Sequence, residues 1–441
     1  MMRKLASLLI ILTFAGGCRT SGFIGDLARD PIVLNDDTSW CWFQDERLVI
    51  DNGQLLLAGV SSDGDVTVTA HEIATGDTRV AVLHERLQAD DHNAPALFVL
   101  PDGRYVAAYS MHGDDNYTRW RVTARAGDPS EWFPERVFDN GAGTTYSNLF
   151  RMADEGPNRR IYNFTRTRGW DPNFLVSDDE IDGWSYGGRL LDGGGDELRP
   201  YASYAGNGTD EIHFVATEQH PRDHPNSIYH GYVSRGKSHA SDGTVVDEDI
   251  FDEKAPPPGA FTRIFRGDLH NVAWTSDIRL DLEGHPYIAY SVVADRTERD
   301  LGGMDIRYRY ARWDGSRWHD YEIGYAGTRL YPGEDEYSGL VTLHPSTPDV
   351  VFISTDAFPD TGEPIMVEGE RRREIFYGST RDGGATWHWM QVTKDSSEDN
   401  LRPIVASDDD TWALVWLRGT YRSYTDYDQA ALGLTFRELP R

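Results

Sequence analysis

The sequence predicts an all-β fold, a seven-bladed β-propeller, and three observations lead there. First, no stretch of convincing length carries the 3.6-residue apolar period of a helix; short runs alternate with period 2 and are cut by Asp-Gly, Asn-Gly and Pro-rich turns. Second, one unit recurs seven times at an average spacing of about 60 residues: a polar or aromatic motif, an apolar strand, a turn, a second apolar strand. Third, Thr380-Arg381-Asp382-Gly383-Gly384-Ala385-Thr386-Trp387 reads as an Asp-box hairpin, in which the Asp caps backbone N–H groups of the turn and the Trp packs on the sheet. Weaker versions cover 177–184, 311–318 and 126–132. The 13 Trp, 22 Tyr and 43 Gly suit strands with many turns.

The units follow in order. Blade one opens at Trp42-Phe43-Gln44-Asp45, with strands over 47–50 and 54–60 around Asp51-Asn52-Gly53. Blade two opens at His92-Asn93, with strands over 94–100 and 104–112 around Pro101-Asp102-Gly103. Blade three opens at Tyr146-Ser147-Asn148 (strands 149–153 and 160–168), and blade four at Arg199-Pro200-Tyr201 (strands 202–205 and 211–220). Blade five opens at Trp274-Thr275-Ser276 (277–281 and 285–293), and blade six at Tyr337-Ser338-Gly339 (340–343 and 349–356). Blade seven opens at Arg402-Pro403 (404–407 and 411–418). One such unit cannot cover both of its sheet faces, so radial closure is the stable solution. Residues 31–34 are expected to add a closing strand beside 427–436. A β-sandwich plus a second domain would leave the sevenfold recurrence unexplained.

At the N-terminus Met1-Met2-Arg3-Lys4 precedes an apolar run over 5–15 and then Ala15-Gly16-Gly17-Cys18, the layout of an export signal. The run is too short to span a bilayer, which needs roughly 20 residues. The small residues before Cys18 resemble a bacterial lipobox, so residues 1–18 are expected to be a lipoprotein signal peptide, with Cys18 lipidated after cleavage. Position 15 is Ala where Leu is commoner, which leaves plain secretion open. Residues 19–30 then form a short linker and 31–441 the propeller. The expected location is the outer membrane or cell surface, or the periplasm or medium. Cys41, the other cysteine, lies between Trp40 and Trp42 and reads as a core thiol; two cysteines exclude a disulfide framework or a cysteine-rich zinc site. The formal net charge of −29 argues against nucleic acid and against anionic membranes other than through the anchor. A monomer is expected.

In a propeller the innermost strands start around one mouth, so residues distant in sequence meet there. The starts carry Gln44, His92, Tyr146, Arg199, Thr275, Tyr337 and Arg402, and the ends of the second strands add His112, Arg166, Arg168, His220 and Arg418. Such a polar, aromatic and cationic ring suits an anionic, hydroxyl-rich ligand, an acidic polysaccharide or oligosaccharide. The blander alternative is that these groups only hydrogen-bond each other. A hairpin turning near Asp102 brings His112 back beside His92, and two imidazoles facing one site can move a proton near neutral pH. Blade four adds a dense cluster in which His220, Asp223, His224 and His230 are conceivable ligands for a structural divalent metal, while Tyr229 and Arg222 can reach a substrate. No cofactor is required for the chemistry considered below.

These residues carry a resemblance. The chain resembles the bacterial propellers called BNR-repeat proteins, which include ulvan lyases. The carrying stretches are 40–45, 91–95, His112-Gly113, Arg199-Pro200-Tyr201, 220–230, 380–387, 400–403 and 418–428. The resemblance implies cleavage beside a uronic acid by β-elimination. It implies His92 at the catalytic centre with His112 as a second histidine, Arg199 neutralising the uronate, and a tyrosine: Tyr229 first, then Tyr146 and Tyr201. Asn93, Tyr146, Tyr201, Arg222, His220, Tyr337, Arg402 and Arg418 are then expected to bind substrate. Two rivals remain. A rhamnosidase- or sialidase-like hydrolase needs paired carboxyl groups or an arginine triad, which Arg199, Arg402 and Arg418 could imitate. A non-catalytic surface glycan-binding propeller would bind without cleaving.

Overall fold

The computed structural model describes residues 29–156, 159–178, 181–195, 198–294, 305–408 and 410–437. The expected signal peptide with Cys18, and linker residues 19–28, lie outside them. Seven antiparallel sheets follow one another along the chain, as the recurrence predicts. Their innermost strands are Leu48–Asp51, Ala96–Val99, Leu149–Arg151, Tyr201–Gly206, Val272–Leu280, Val341–Leu343 and Asp399–Ser407. Each blade then steps outward through short hairpins, and alternate residues of each strand pack on the sheets at either side.

Ring closure is built from both ends of the chain. Ile32–Asn35 pairs antiparallel with Asp426–Phe436, Ile32 opposite Gly433 and Val33 opposite Leu432, so the outermost strand of blade seven comes from the N-terminal side. Blades three and four show how neighbours seal. Phe150, Phe164, Phe174, Tyr204 and Phe214 form one buried cluster, and the Phe164 and Tyr204 rings stack at 4.4 Å. Burying each such ring contributes about 1.5–3 kcal/mol, which a single blade could not collect.

The Asp-box geometry is as the motif predicts. Asp382 Oδ1 accepts from the Thr386 N–H at 2.9 Å, and the Trp387 ring meets Tyr310 of the neighbouring blade. This hairpin joins Glu374–Ser379 to His388–Gln391, the third and fourth strands of blade six. It therefore faces away from the end at which the innermost strands begin.

The segment before the first blade crosses the axis at that beginning end. Trp42 meets Trp274 and Tyr337 edge-on, and Phe43 packs on Tyr146, Tyr201 and Trp274. These aromatics plug the channel and form the base of the mouth. Beyond the plug, burial raises Asp45 to about 8. At the far end a cavity of about 340 Å³ is lined by Val49, Leu97, Phe98, Leu149 and Phe150, with the Arg279–Glu46 ion pair (2.5 Å) in its wall. No helix among the described residues is long and apolar enough to cross a membrane.

Candidate functional site

The mouth is organised by one carboxylate. Asp90 precedes a single 3₁₀ turn, Asp91–Asn93, and its Oδ1 accepts from the His92 N–H at 2.9 Å, an N-cap that fixes the turn. The same Oδ1 lies 2.7 Å from His92 Nδ1, and Oδ2 lies 2.9 Å from His112 Nδ1. His112 arrives by the hairpin that pairs Ala96–Val99 with Tyr105–Ser110, Ala96 opposite Ala108. The two imidazoles stack with centroids 3.8 Å apart and planes 6° off parallel. With both Nδ1 atoms turned to Asp90, both Nε2 edges face the same way, and an Nδ1–H donated to the carboxylate leaves Nε2 of a neutral ring as a base.

The charge states of the pair diverge. Burial opposes a charged His92, but Cys41, Asp90 and Tyr146 around it pull the other way and raise it well above the ordinary imidazole value. Burial lowers His112, and the neighbouring His92 lowers it further. Burial would raise Asp90, yet its two imidazoles outweigh this and hold the carboxyl well below the usual range. On their shared carboxylate the two rings are thus pushed in opposite directions, His92 toward the charged form and His112 toward the neutral one. The His112 side chain is 27 % exposed against 8 % for His92, so the neutral ring is the accessible one.

A second layer locks the turn. Asp91 accepts from Arg402 Nη1 and from the Tyr421 hydroxyl, both at 2.6 Å, while Gln44 Nε2 donates to His92 O at 2.7 Å. The hairpin joining the last strands of blade seven reaches over: the Asp91 N–H donates to Tyr424 O, and the Tyr424 ring stands edge-on to His92 (5.2 Å) and His112 (5.5 Å). Tyr146, held in the left-handed region at φ 67°, brings its ring within 5.7 Å of His92.

Across the mouth the Arg166 guanidinium lies 3.7 Å above the Tyr201 ring. Arg166 Nε donates to Trp170 O at 3.0 Å, and its terminal nitrogens bond to no described residue. Tyr201 meets His220, whose Nε2 lies 3.2 Å from the Tyr337 hydroxyl and 3.6 Å from Glu334. The Arg222 N–H donates to His220 Nδ1, which assigns the remaining ring proton to Nε2, and the Arg222 side chain pairs with Glu334. Arg199, two residues before Tyr201, is exposed and pairs with no described residue.

His92, His112, Tyr146, Tyr201, His220, Tyr337 and Arg222 thus share one mouth, with Arg199 at its rim. Other expected residues do not reach it. Asn93 is fully buried, and its Nδ2 donates to Gln88 O and Oε1; it shapes the turn and is closed to substrate. Arg402 is only 1 % exposed, spent on Asp91 and Trp40 O. Arg418 donates from Nε to Asn400 Oδ1 at 2.9 Å, in the network around Glu374. No sialidase-like arginine triad forms from Arg199, Arg402 and Arg418. Tyr229 lies on Ile228–Ser234, the third strand of blade four, where its hydroxyl donates to Glu218 Oε1 at 2.9 Å; Tyr146 stands beside His92 instead.

The metal cluster expected in blade four is not assembled. His220 faces Tyr337 whereas His230 Nε2 faces His213 at 3.1 Å, and Asp223 is exposed. Among the described residues the groups whose ligand atoms lie within 4.8 Å of one another are Cys41–Asp91–His92 and Asp90–His92–His112. In both, hydrogen bonds and ion pairs within the mouth already engage the histidine and carboxylate atoms.

Sequence reading missed two features. Asp90 stands two residues before His92, and no pattern in the sequence assigns it a role. Tyr424 sits at the tip of Tyr421-Arg422-Ser423-Tyr424-Thr425-Asp426-Tyr427, a tyrosine-rich hairpin whose composition was the available signal.

The model of the BNR repeat-containing family matches residues 55–325. Among solved structures, the chain is similar to a PL25 ulvan lyase bound to -[GlcA(1-4)Rha3S]-, at 15 % identity and TM-score 0.64, covering 91 % of this chain and 95 % of that one. It is also similar to the polysaccharide lyase Uly1, at 10 % identity and TM-score 0.57, covering 93 % and 94 %. No functionally curated protein matches the sequence.

Proposed function

The chain belongs to the BNR repeat-containing family, and from that premise we propose that it is a lyase that cleaves a uronate-containing polysaccharide of the ulvan-like, rhamnose-uronate class by β-elimination. One observation carries the reading: Asp90 holds two parallel imidazoles of opposite charge preference, and beside them lie tyrosines and a guanidinium whose terminal nitrogens bond to no described residue. The two lyase structures of like fold support it.

β-Elimination takes the proton from the carbon next to the uronate carboxylate, forms a double bond from that carbon to its neighbour, and breaks the bond from the neighbour to the glycosidic oxygen, which leaves with a proton. The first proton is weakly acidic until the carboxylate charge is offset. Arg166, through its terminal nitrogens, and Arg199 at the rim supply that charge; a guanidinium binds a carboxylate through two hydrogen bonds and stabilises the enolate that develops. Neutral His112, its lone pair on Nε2, takes the proton. Charged His92 steadies the developing anion, and Tyr146 or Tyr424, whose rings border the pair, protonates the leaving oxygen. Export with lipidation at Cys18 belongs to the same proposal and rests on the layout of residues 1–18.

The test is incubation of the purified protein with a panel of uronate polysaccharides, followed by ultraviolet absorbance. A rise marks the unsaturated uronate product. New reducing ends without absorbance would identify a hydrolase instead, and binding without shortening would identify a glycan-binding propeller.

A further inference from the structure

The turn between the second and third strands of blade three, residues 168–170, borders the mouth beside Arg166. Three consecutive residues there lie in the left-handed region: Arg168 at φ 38°, Gly169 at 93° and Trp170 at 65°. Only glycine adopts that region freely, so the two side-chain-bearing residues hold it because their surroundings do. Arg166 Nε donates to Trp170 O at 3.0 Å, and Asn173 Nδ2 donates to Thr167 O and Asp171 O on either side of the turn.

The strained turn places the Trp170 indole against the residue that follows His112. A Cβ built on Gly113 would meet Trp170 Cη2 at 2.2 Å, and one built on Gly143 would meet Cζ2 at 3.6 Å. Gly113 therefore makes room for this ring and also needs its φ of 80°, while Gly143 lies in ordinary contact distance of it. Trp170 is half-buried rather than sealed, and its indole N–H bonds to no described residue. Beside it the Arg168 guanidinium lies 3.5 Å from the Tyr186 ring, with Nε donating to Asn140 O. Its nearest acidic partner, Glu253, is 3.9 Å away, and its side chain is 37 % exposed. The result is an aromatic surface and a positioned cation, joined through Arg166 to the place where the uronate is bound in the reading above.

We propose that Trp170 and Arg168 form a sugar subsite next to the reacting residue, which takes a pyranose ring bearing an anionic substituent. The weakly positive C–H face of a pyranose suits the electron-rich indole face. The guanidinium takes the substituent, either a carboxylate or a sulfate ester, as a bidentate partner. The inference rests on the lyase reading for the position of the reacting sugar.

Binding without turnover tests the subsite apart from the chemistry. Affinity for a rhamnose-uronate polysaccharide is measured by calorimetry in a His112→Ala background, alone and with Trp170→Ala, Trp170→Tyr or Arg168→Gln. Trp170→Ala should weaken binding on the order of ten-fold, with Trp170→Tyr restoring most of it. Arg168→Gln should weaken binding of the native polymer but not of one version that lacks the relevant anion: loss of the effect with the desulfated polymer assigns sulfate, and with the carboxyl-reduced polymer assigns carboxylate. Unchanged affinity in folded Trp170→Ala and Trp170→Tyr proteins, or no binding by the His112→Ala parent, overturns the subsite. If Trp170→Ala weakens binding while the wild-type protein yields no ultraviolet-absorbing product, the lyase reading falls and the subsite stands.

Discussion

Two pairs of histidines lie in this propeller, and they differ in what holds them. His92 and His112 are stacked at the mouth, each with Nδ1 on Asp90. His213 and His230 meet within blade four, Nδ1 to Nε2 at 3.1 Å, with Ser241 Oγ at the other nitrogen of His230 and Glu211 3.3 Å from His213. The mouth pair has a carboxylate that accepts from both rings and one ring open to solvent. The blade-four pair is buried and bonded ring to ring, so one imidazole must accept where the other donates. Burial and the nearby His213 push His230 well below the ordinary imidazole value, whereas His92 is raised despite its burial. The difference teaches that a pair of imidazoles becomes chemistry only where a third group sets their tautomers and leaves a nitrogen free. Without that group it is a fastener inside a sheet.

Removing the group that sets the mouth pair is the strongest way to break the comparison. Asp90→Asn keeps the size of the side chain and removes its charge and one of its acceptor sites, so the two Nδ1–H donors can no longer both be satisfied and His92 loses its nearest carboxylate partner. Turnover in the proposed elimination should fall by on the order of 10²–10⁴-fold, the usual worth of positioned acid–base groups. Far-ultraviolet circular dichroism should stay unchanged, because the N-cap carbonyl oxygen is retained. Wild-type kinetics in Asp90→Asn would remove the carboxylate from the mechanism.

The converse change sharpens the contrast. His230→Ala leaves His213 Nδ1 and Ser241 Oγ without their buried partner, which costs about 1–3 kcal/mol. The midpoint of urea unfolding should drop accordingly, while kcat stays at the wild-type value where the protein is folded. A loss of kcat in the folded variant would join the two pairs into one functional unit.

The same contrast marks how far the sequence could be read. Seven strand–turn–strand units, the closing strand from the N-terminal side and the Asp-box hairpin at 380–387 were legible because each is a local pattern: alternation, turn residues and a capped loop. The meeting of His92 and His112 was legible because one hairpin makes it. Residues whose neighbours come from distant blades were not. Arg402 looked like a mouth residue, but Asp91 from blade two and Trp40 from before blade one claim it. Tyr229 looked close to the mouth because its loop is, yet strand alternation places it two strands out from the axis, on Glu218. Tyr424 reaches the histidines through the ring closure itself, and no spacing in the sequence announces that.

The smallest expected effect separates the pairs by pH. For His230 the folded value is depressed, so its contribution to stability is fully present above the unfolded imidazole value of about 6.5 and is lost as pH falls below it, where the unfolded chain takes up a proton that the folded one refuses. For His92 the folded value is raised, so its contribution is present below about 6.5 and is lost as pH rises toward the folded value. Each limb can slope by at most about 1.4 kcal/mol per pH unit for one proton. Unfolding free energy measured across pH 5–9 should therefore have a shallower acid limb in His230→Ala, the remainder coming from His71, His112 and His344, whose values are also lowered by burial, and should lose its alkaline limb in Asp90→Asn. Turnover should follow the mouth pair alone: it rises through a value below 6.5 as lowered His112 becomes neutral, and it falls at higher pH as raised His92 gives up its proton. Because the two rings share Asp90, these limbs belong to the pair rather than to either ring, and they should move together in Asp90→Asn while remaining fixed in His230→Ala. An acid limb of turnover that shifts in His230→Ala would show that the fastener and the chemistry are coupled through blade four.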